Sequence, residues 1–84
     1  MAEVKIGTVV RSAAGRDKGD FQAVLSFDEK FVTVCDGKHR PLEKTKRKKI
    51  IHVKVTNTVL SEELLKTNKS IRKALKSFVE KVGG

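Results

Sequence analysis

Apolar and polar residues alternate in steps of two along much of the first half of the chain. From residue 4 to 12, Val4, Ile6, Thr8 and Val10 alternate with Lys5, Gly7, Val9 and Arg11. This is the pattern of a half-buried strand whose Lys5 and Arg11 face water. The run Phe21–Phe27 predicts a second strand, with Phe21, Ala23, Leu25 and Phe27 on a core face and Gln22, Val24 and Ser26 on the other. Asp28-Glu29-Lys30 is a short polar connection, and Phe31–Cys35 returns as a third strand. Asp36-Gly37 follows at once and predicts a type I′ turn, which requires positive φ at both central positions. Between Lys38 and Lys49 the alternation disappears. Only Leu42 reads as inward-facing, and the stretch predicts an extended arm or edge strand held open by like charges. Ile51, Val53 and Val55 then resume the pattern against Ile50, His52 and Lys54, as a closing strand.

Two elements lie outside this pattern. Gly15 and Gly19 flank Arg16, Asp17 and Lys18 between the first two strands, predicting a loop of fixed backbone shape that holds three charges away from the core. Beyond residue 60 the period changes to that of a helix. Ser61-Glu62-Glu63 has the chemistry of a helix start, but Ile71, Leu75, Phe78 and Val82 become regular only after Asn68, a competing cap. The prediction is a short turn and then a helix from about residue 69, with Lys69, Arg72, Lys73 and Lys76 on its far face and Gly83-Gly84 ending it. The chain thus divides into a β unit over 1–57 and a helical extension over 58–84.

Charge sharpens this picture. The net charge is +9, but residues 1–37 carry five Lys/Arg against six Asp/Glu, residues 38–60 eight against one, and residues 61–84 six against three. A cationic segment beside a neutral strand region is the footprint of a polyanion binder rather than a charge spread for solubility. Eighty-four residues with four Phe and neither Trp nor Tyr suit a small barrel without a deep pocket, so no small-molecule substrate is expected. The single cysteine, Cys35, excludes an internal disulfide and falls at a core position. Catalysis is not expected. The carboxylates are scattered, no Ser or Cys has an evident base, and Gly19 is followed by Asp20 rather than by the Lys-Ser/Thr of a phosphate-binding loop. His39 and His52, surrounded by cations, are poor metal ligands, so neither metal nor cofactor is expected. With no apolar run long enough to span a bilayer and no signal-peptide pattern at its start, the chain reads as cytoplasmic and not membrane-bound.

Gly7-x-Val9-Val10, Ala14-Gly15-Arg16-Asp17-x-Gly19, Val32-x-Val34-x-Asp36-Gly37 and the basic run ending at His52-Val53 occur in one order over residues 4 to 56. This series resembles the KOW motif, and in particular the KOW-containing large-subunit ribosomal proteins of archaea and eukaryotes. The resemblance implies a mainly β fold, a small SH3-like five-stranded β-barrel, here with a C-terminal α-helix. Gly7, Gly15 and Gly19 are then its structural glycines. It also implies a non-enzymatic protein that binds structured RNA, with rRNA and the large ribosomal subunit as expected partners. Within this reading the RNA-binding candidates are Arg16 and Lys18 in the loop, Lys38, His39 and Arg40 after the third strand, and Lys44, Lys46, Arg47, Lys48 and Lys49 in the basic run. His52 and Lys54 complete the set. Lysines serve as point charges for phosphate, while arginines can bind phosphate bidentately or stack on splayed bases. The alternative is a transcription-associated adaptor using the barrel to bind protein, as KOW domains of the NusG class can. It would need an exposed apolar patch.

Overall fold

A computed structural model describes residues 3–81. Five antiparallel strands, β1 (Thr8–Ser12), β2 (Phe21–Phe27), β3 (Phe31–Cys35), β4 (Lys46–Lys49) and β5 (Val53–Val59), form one sheet in the order β4-β3-β2-β1-β5. A single 3₁₀ turn, Ile50–His52, joins β4 to β5, a second, Glu62–Leu65, follows β5, and helix α1 spans Asn68–Lys81. The fold is mainly β with a C-terminal helix, as the pattern predicts. The sheet is open, since β4 and β5 are its two edges and do not pair with each other.

The sheet is nevertheless strongly curled. Laid flat, β4 and β1 would lie about 14 Å apart, three inter-strand spacings, yet Lys48 on β4 donates to Ser12 Oγ on β1 at 2.6 Å. The edge-to-edge link through three residues requires the same curvature. Curling buries both faces. Val10, Val24, Val32, Val34 and Val53 pack together on the inner face. On the outer face Val9, Ala23 and Cys35 pack against Leu60, Ile71 and Leu75, with Phe21, Leu25, Leu42 and Phe78 around them. The two faces correspond to the two phases of each alternating strand, so Val24 is as buried as Ala23. Helix α1 therefore packs on the sheet through Ile71, Leu75 and Phe78, the Phe78 ring meeting Phe21 edge-on at 5.1 Å. Val82, Gly83 and Gly84 lie outside the described residues. No helix among the described residues is long and apolar enough to cross a membrane.

Several local expectations change. The first strand begins at Thr8, and Ile6 is exposed. Phe27, predicted on the core face, is 48% exposed at the end of β2, beyond the irregularity between Val24 and Ser26. Ile51 is 82% exposed, because the link between the sheet edges is a 3₁₀ turn and not the start of a strand. Asp36-Gly37 is not a type I′ turn, since only Gly37 has positive φ. Asp36 instead accepts the N–H groups of Lys38 and Arg40, both at 2.8 Å, and shapes a longer loop to β4. The cap of α1 is Thr67, whose hydroxyl accepts from the Ser70 N–H. Asn68 is used otherwise, accepting the Leu42 N–H at 2.7 Å and donating to Glu43 at 2.8 Å, so the helix start anchors the loop before β4. Ser61 sits before the second 3₁₀ turn without a capping bond from its side chain. Cys35 is buried, and burial followed by the negative charge of Asp36 pushes its thiol up to about 11.

Gly7 and Gly37 combine positive φ with close packing. A Cβ on Gly7 would overlap the Leu60 carbonyl, and one on Gly37 the Asn68 carbonyl, whereas Gly15 has positive φ in open space. Gly7→Ala and Gly37→Ala should each lower stability by about 2–4 kcal/mol through strain and overlap together. Gly15→Ala should cost about 1 kcal/mol, from backbone conformation alone. Urea-denaturation midpoints of the three variants check this order.

Candidate nucleic-acid interface

The loop over residues 13–20 is held at its base by backbone bonds from Ser12 to the Asp20 carbonyl (2.9 Å) and from Gly19 to the Ser12 carbonyl (2.8 Å). Ala13 donates to the His52 carbonyl at 2.8 Å, tying the loop to the turn between the sheet edges. Gly15 and Gly19, at φ of 81° and 94°, give the backbone its reversals. Arg16 and Lys18 are exposed, as predicted.

Asp17 is not. Its side chain turns inward and meets Lys48 Nζ at 3.5 Å, Arg40 Nε at 3.3 Å and Gln22 Nε2 at 3.3 Å. Lys48 follows from register. It pairs with the buried Val32, so its side chain enters the curl, where Ser12 and Asp17 receive its ammonium and only 8% of it stays exposed. Burial alone would raise the Asp17 pKa. The hydrogen bonds from Arg40 and Gln22 and the charges of Arg40 and Lys48 outweigh it and hold the carboxyl below its ordinary value. Lys48 is thus a structural cation with no free face for phosphate, unlike its neighbours in the basic run. Arg40 is partly committed in the same way.

Two clefts flank the loop. One, of about 230 Å³, is lined by Arg11, Ser12, Ala13, Lys18, Gly19 and Lys54. Arg11 and Lys54 come together because β1 and β5 pair them directly. The other, of about 390 Å³, lies between Ala14-Gly15 and β4 and is lined by Phe31, Lys46, Arg47, Lys48, Lys49 and His52. Phe31 pairs with Lys49, which puts Arg47 on the diagonal beside it, and the guanidinium carbon stands 3.9 Å from the ring centroid. Asp28 receives Arg47 Nη2 at 3.5 Å. The backbone N–H groups of Lys30 and Phe31, then Arg47, keep the Asp28 carboxyl below its ordinary value.

Of the sequence-predicted residues, Lys18 and Lys54 line the first cleft, and Lys46, Arg47, Lys49 and His52 the second. Arg16 stands on the loop between them. Lys38 and His39 lie elsewhere, in a hollow beside Arg72 and Lys76 that also holds Asp20 and Asp36. Lys44 is exposed before β4. Arg11, Phe31 and the inward Asp17 were not among the predicted site residues. Alternation marks Arg11 as solvent-facing, but only strand pairing reveals its partner. Among the described residues no group of three His, Cys, Asp or Glu side chains is placed to hold a metal ion. No protein-family model matches the chain, and comparison with curated proteins finds no match either.

Removing the Asp17 charge leaves Lys48 buried without its counter-ion. Asp17→Asn should therefore lower stability by about 3 kcal/mol at neutral pH. Lys48→Met should cost less, because Asp17 keeps Arg40 and Gln22. The folded-state pKa of Asp17 is depressed, so its stabilisation is complete above the unfolded value of about 3.9 and is lost as pH falls through the folded value. The stability gap between wild type and Asp17→Asn should shrink as the pH falls below about 4, as read by urea titration at each pH.

Proposed function

We propose that this chain is a non-enzymatic RNA-binding protein of the KOW type, a ribosomal-protein-like module whose curled sheet serves as an SH3-like barrel. Its partner in this reading is structured RNA, foremost the rRNA of the large ribosomal subunit, in the cytoplasm. The observation that carries the reading is the pair of cationic clefts on either side of the glycine-framed loop. Arg11, Lys18 and Lys54 stand on one side and Lys46, Arg47, Lys49 and His52 on the other, with Arg16 between. Cations so spaced can follow a phosphate backbone past the loop without repacking the core. A surface this small cannot read a duplex by sequence, so selectivity falls to the shape of folded RNA. The ordered resemblance over residues 4 to 56 supports the same partner on separate grounds.

Binding should weaken steeply with salt, log K falling by roughly 0.7–0.9 per phosphate neutralised for each unit of log salt. Replacing Lys46 and Lys49 together by Ala should lower affinity and reduce that slope by about one and a half. Filter binding to a structured rRNA fragment over a salt series measures both, and an unchanged slope would contradict the proposal. In lysate the protein should sediment with the large subunit at low salt. Recovery only in the free-protein fractions at every salt concentration would exclude the ribosomal partner.

A further inference from the structure

We infer that the cleft between Ala14-Gly15 and β4 takes a single unpaired base of the RNA, stacked on the Arg47 guanidinium. This rests on the RNA-binding reading above and adds which part of the RNA the cleft receives. Arg47 differs from the cations around it. Its guanidinium stands over the Phe31 ring at 3.9 Å, and Asp28 holds its Nη2 at 3.5 Å. The carboxylate offsets its charge and occupies an N–H, both of which make Arg47 a weaker phosphate clamp than a free arginine. The same two contacts keep the guanidinium beside the ring, while 63% of the side chain stays exposed. A planar cation held against an aromatic ring on one side and open on the other is a stacking platform for a base.

The rest of the cleft fits that occupant. The opposite wall is Ala14 and Gly15, and the space where a Gly15 side chain would project is empty, so a flat ring can approach the backbone. Lys46, Lys49 and His52 stand around the opening, placed for the phosphates on either side of an extruded nucleotide. A base paired within a helix could not enter, because it is stacked between its neighbours. The site therefore selects a bulge or loop over a continuous duplex.

The test uses three RNA hairpins of one length, a fully paired stem, the same stem with one bulged adenosine, and the stem with an abasic nucleotide at the bulge. Each is measured by fluorescence anisotropy with the wild-type protein and with Arg47→Lys, which keeps the positive charge but loses the planar face. Wild type should bind the adenosine bulge about tenfold more tightly than the abasic bulge, since backbone shape is shared and only the base differs. In Arg47→Lys that ratio should fall to about one. Equal binding of the adenosine and abasic bulges by wild type, or an undiminished ratio in Arg47→Lys, would overturn the inference while leaving RNA binding standing. Failure of wild type to bind any of the three RNAs would also overturn the inference, while the RNA-binding reading falls only if the structured rRNA fragment is not bound either. The wild-type comparison needs no variant, so the outcome does not depend on how Arg47→Lys folds.

Discussion

The contact on which the rest of the molecule depends is the buried pair of Lys48 and Asp17. Lys48 belongs to an edge strand and Asp17 to the loop between the interior strands β1 and β2, and they meet only because the sheet curls. Desolvating both charges is costly, and the cost is offset only where every partner is in place. Here Ser12, Gln22 and Arg40 complete the set, the Gln22 amide oxygen alone lacking a partner. An apolar residue in place of Lys48 could fill the space and leave Asp17 with Arg40 and Gln22, whereas removing the Asp17 charge strands a buried cation.

That placement gives the surface its character. With Asp17 drawn inside, the loop shows Arg16 and Lys18 to solvent and no carboxylate between them. The Ala13 bond to the His52 carbonyl holds the loop beside the turn that carries the end of the basic run. Two cationic clefts then form from residues of four strands, one loop and the 3₁₀ turn. Their geometry is set by backbone bonds and a buried ion pair, so the exposed lysines need not be rigid for the site to keep its shape.

The helix plays a different part. Because the sheet's inner face is filled by its own curl, the outer face around Val9, Ala23 and Cys35 would be open without α1. Ile71, Leu75 and Phe78 cover it, and Asn68 fastens the loop leading into β4 through Leu42 and Glu43. Ile71, Leu75 and Phe78 are therefore occupied within the chain, and together with Leu60 they share one core with the strands.

Period-two alternation was enough to locate β2 and β3, and the shift in period beyond Asn68 was enough to place the helix, because each depends on residues close in sequence. The glycines of the loop were legible for the same reason, since positive φ at Gly15 and Gly19 is a local backbone demand. So was the cationic character of the 38–54 segment. Tertiary structure decided what each charge does. Lys48 and Lys49 are neighbours of like chemistry, yet β-pairing sends one into the curl and the other outward. Asp17 looks like a loop carboxylate until Lys48 and Arg40 arrive from distant positions. Ile51 fits the alternation of a strand, but the short link between two sheet edges forces it into a turn and out to solvent. In each case the deciding partner lies many residues away, and the contact exists only once the sheet has curled.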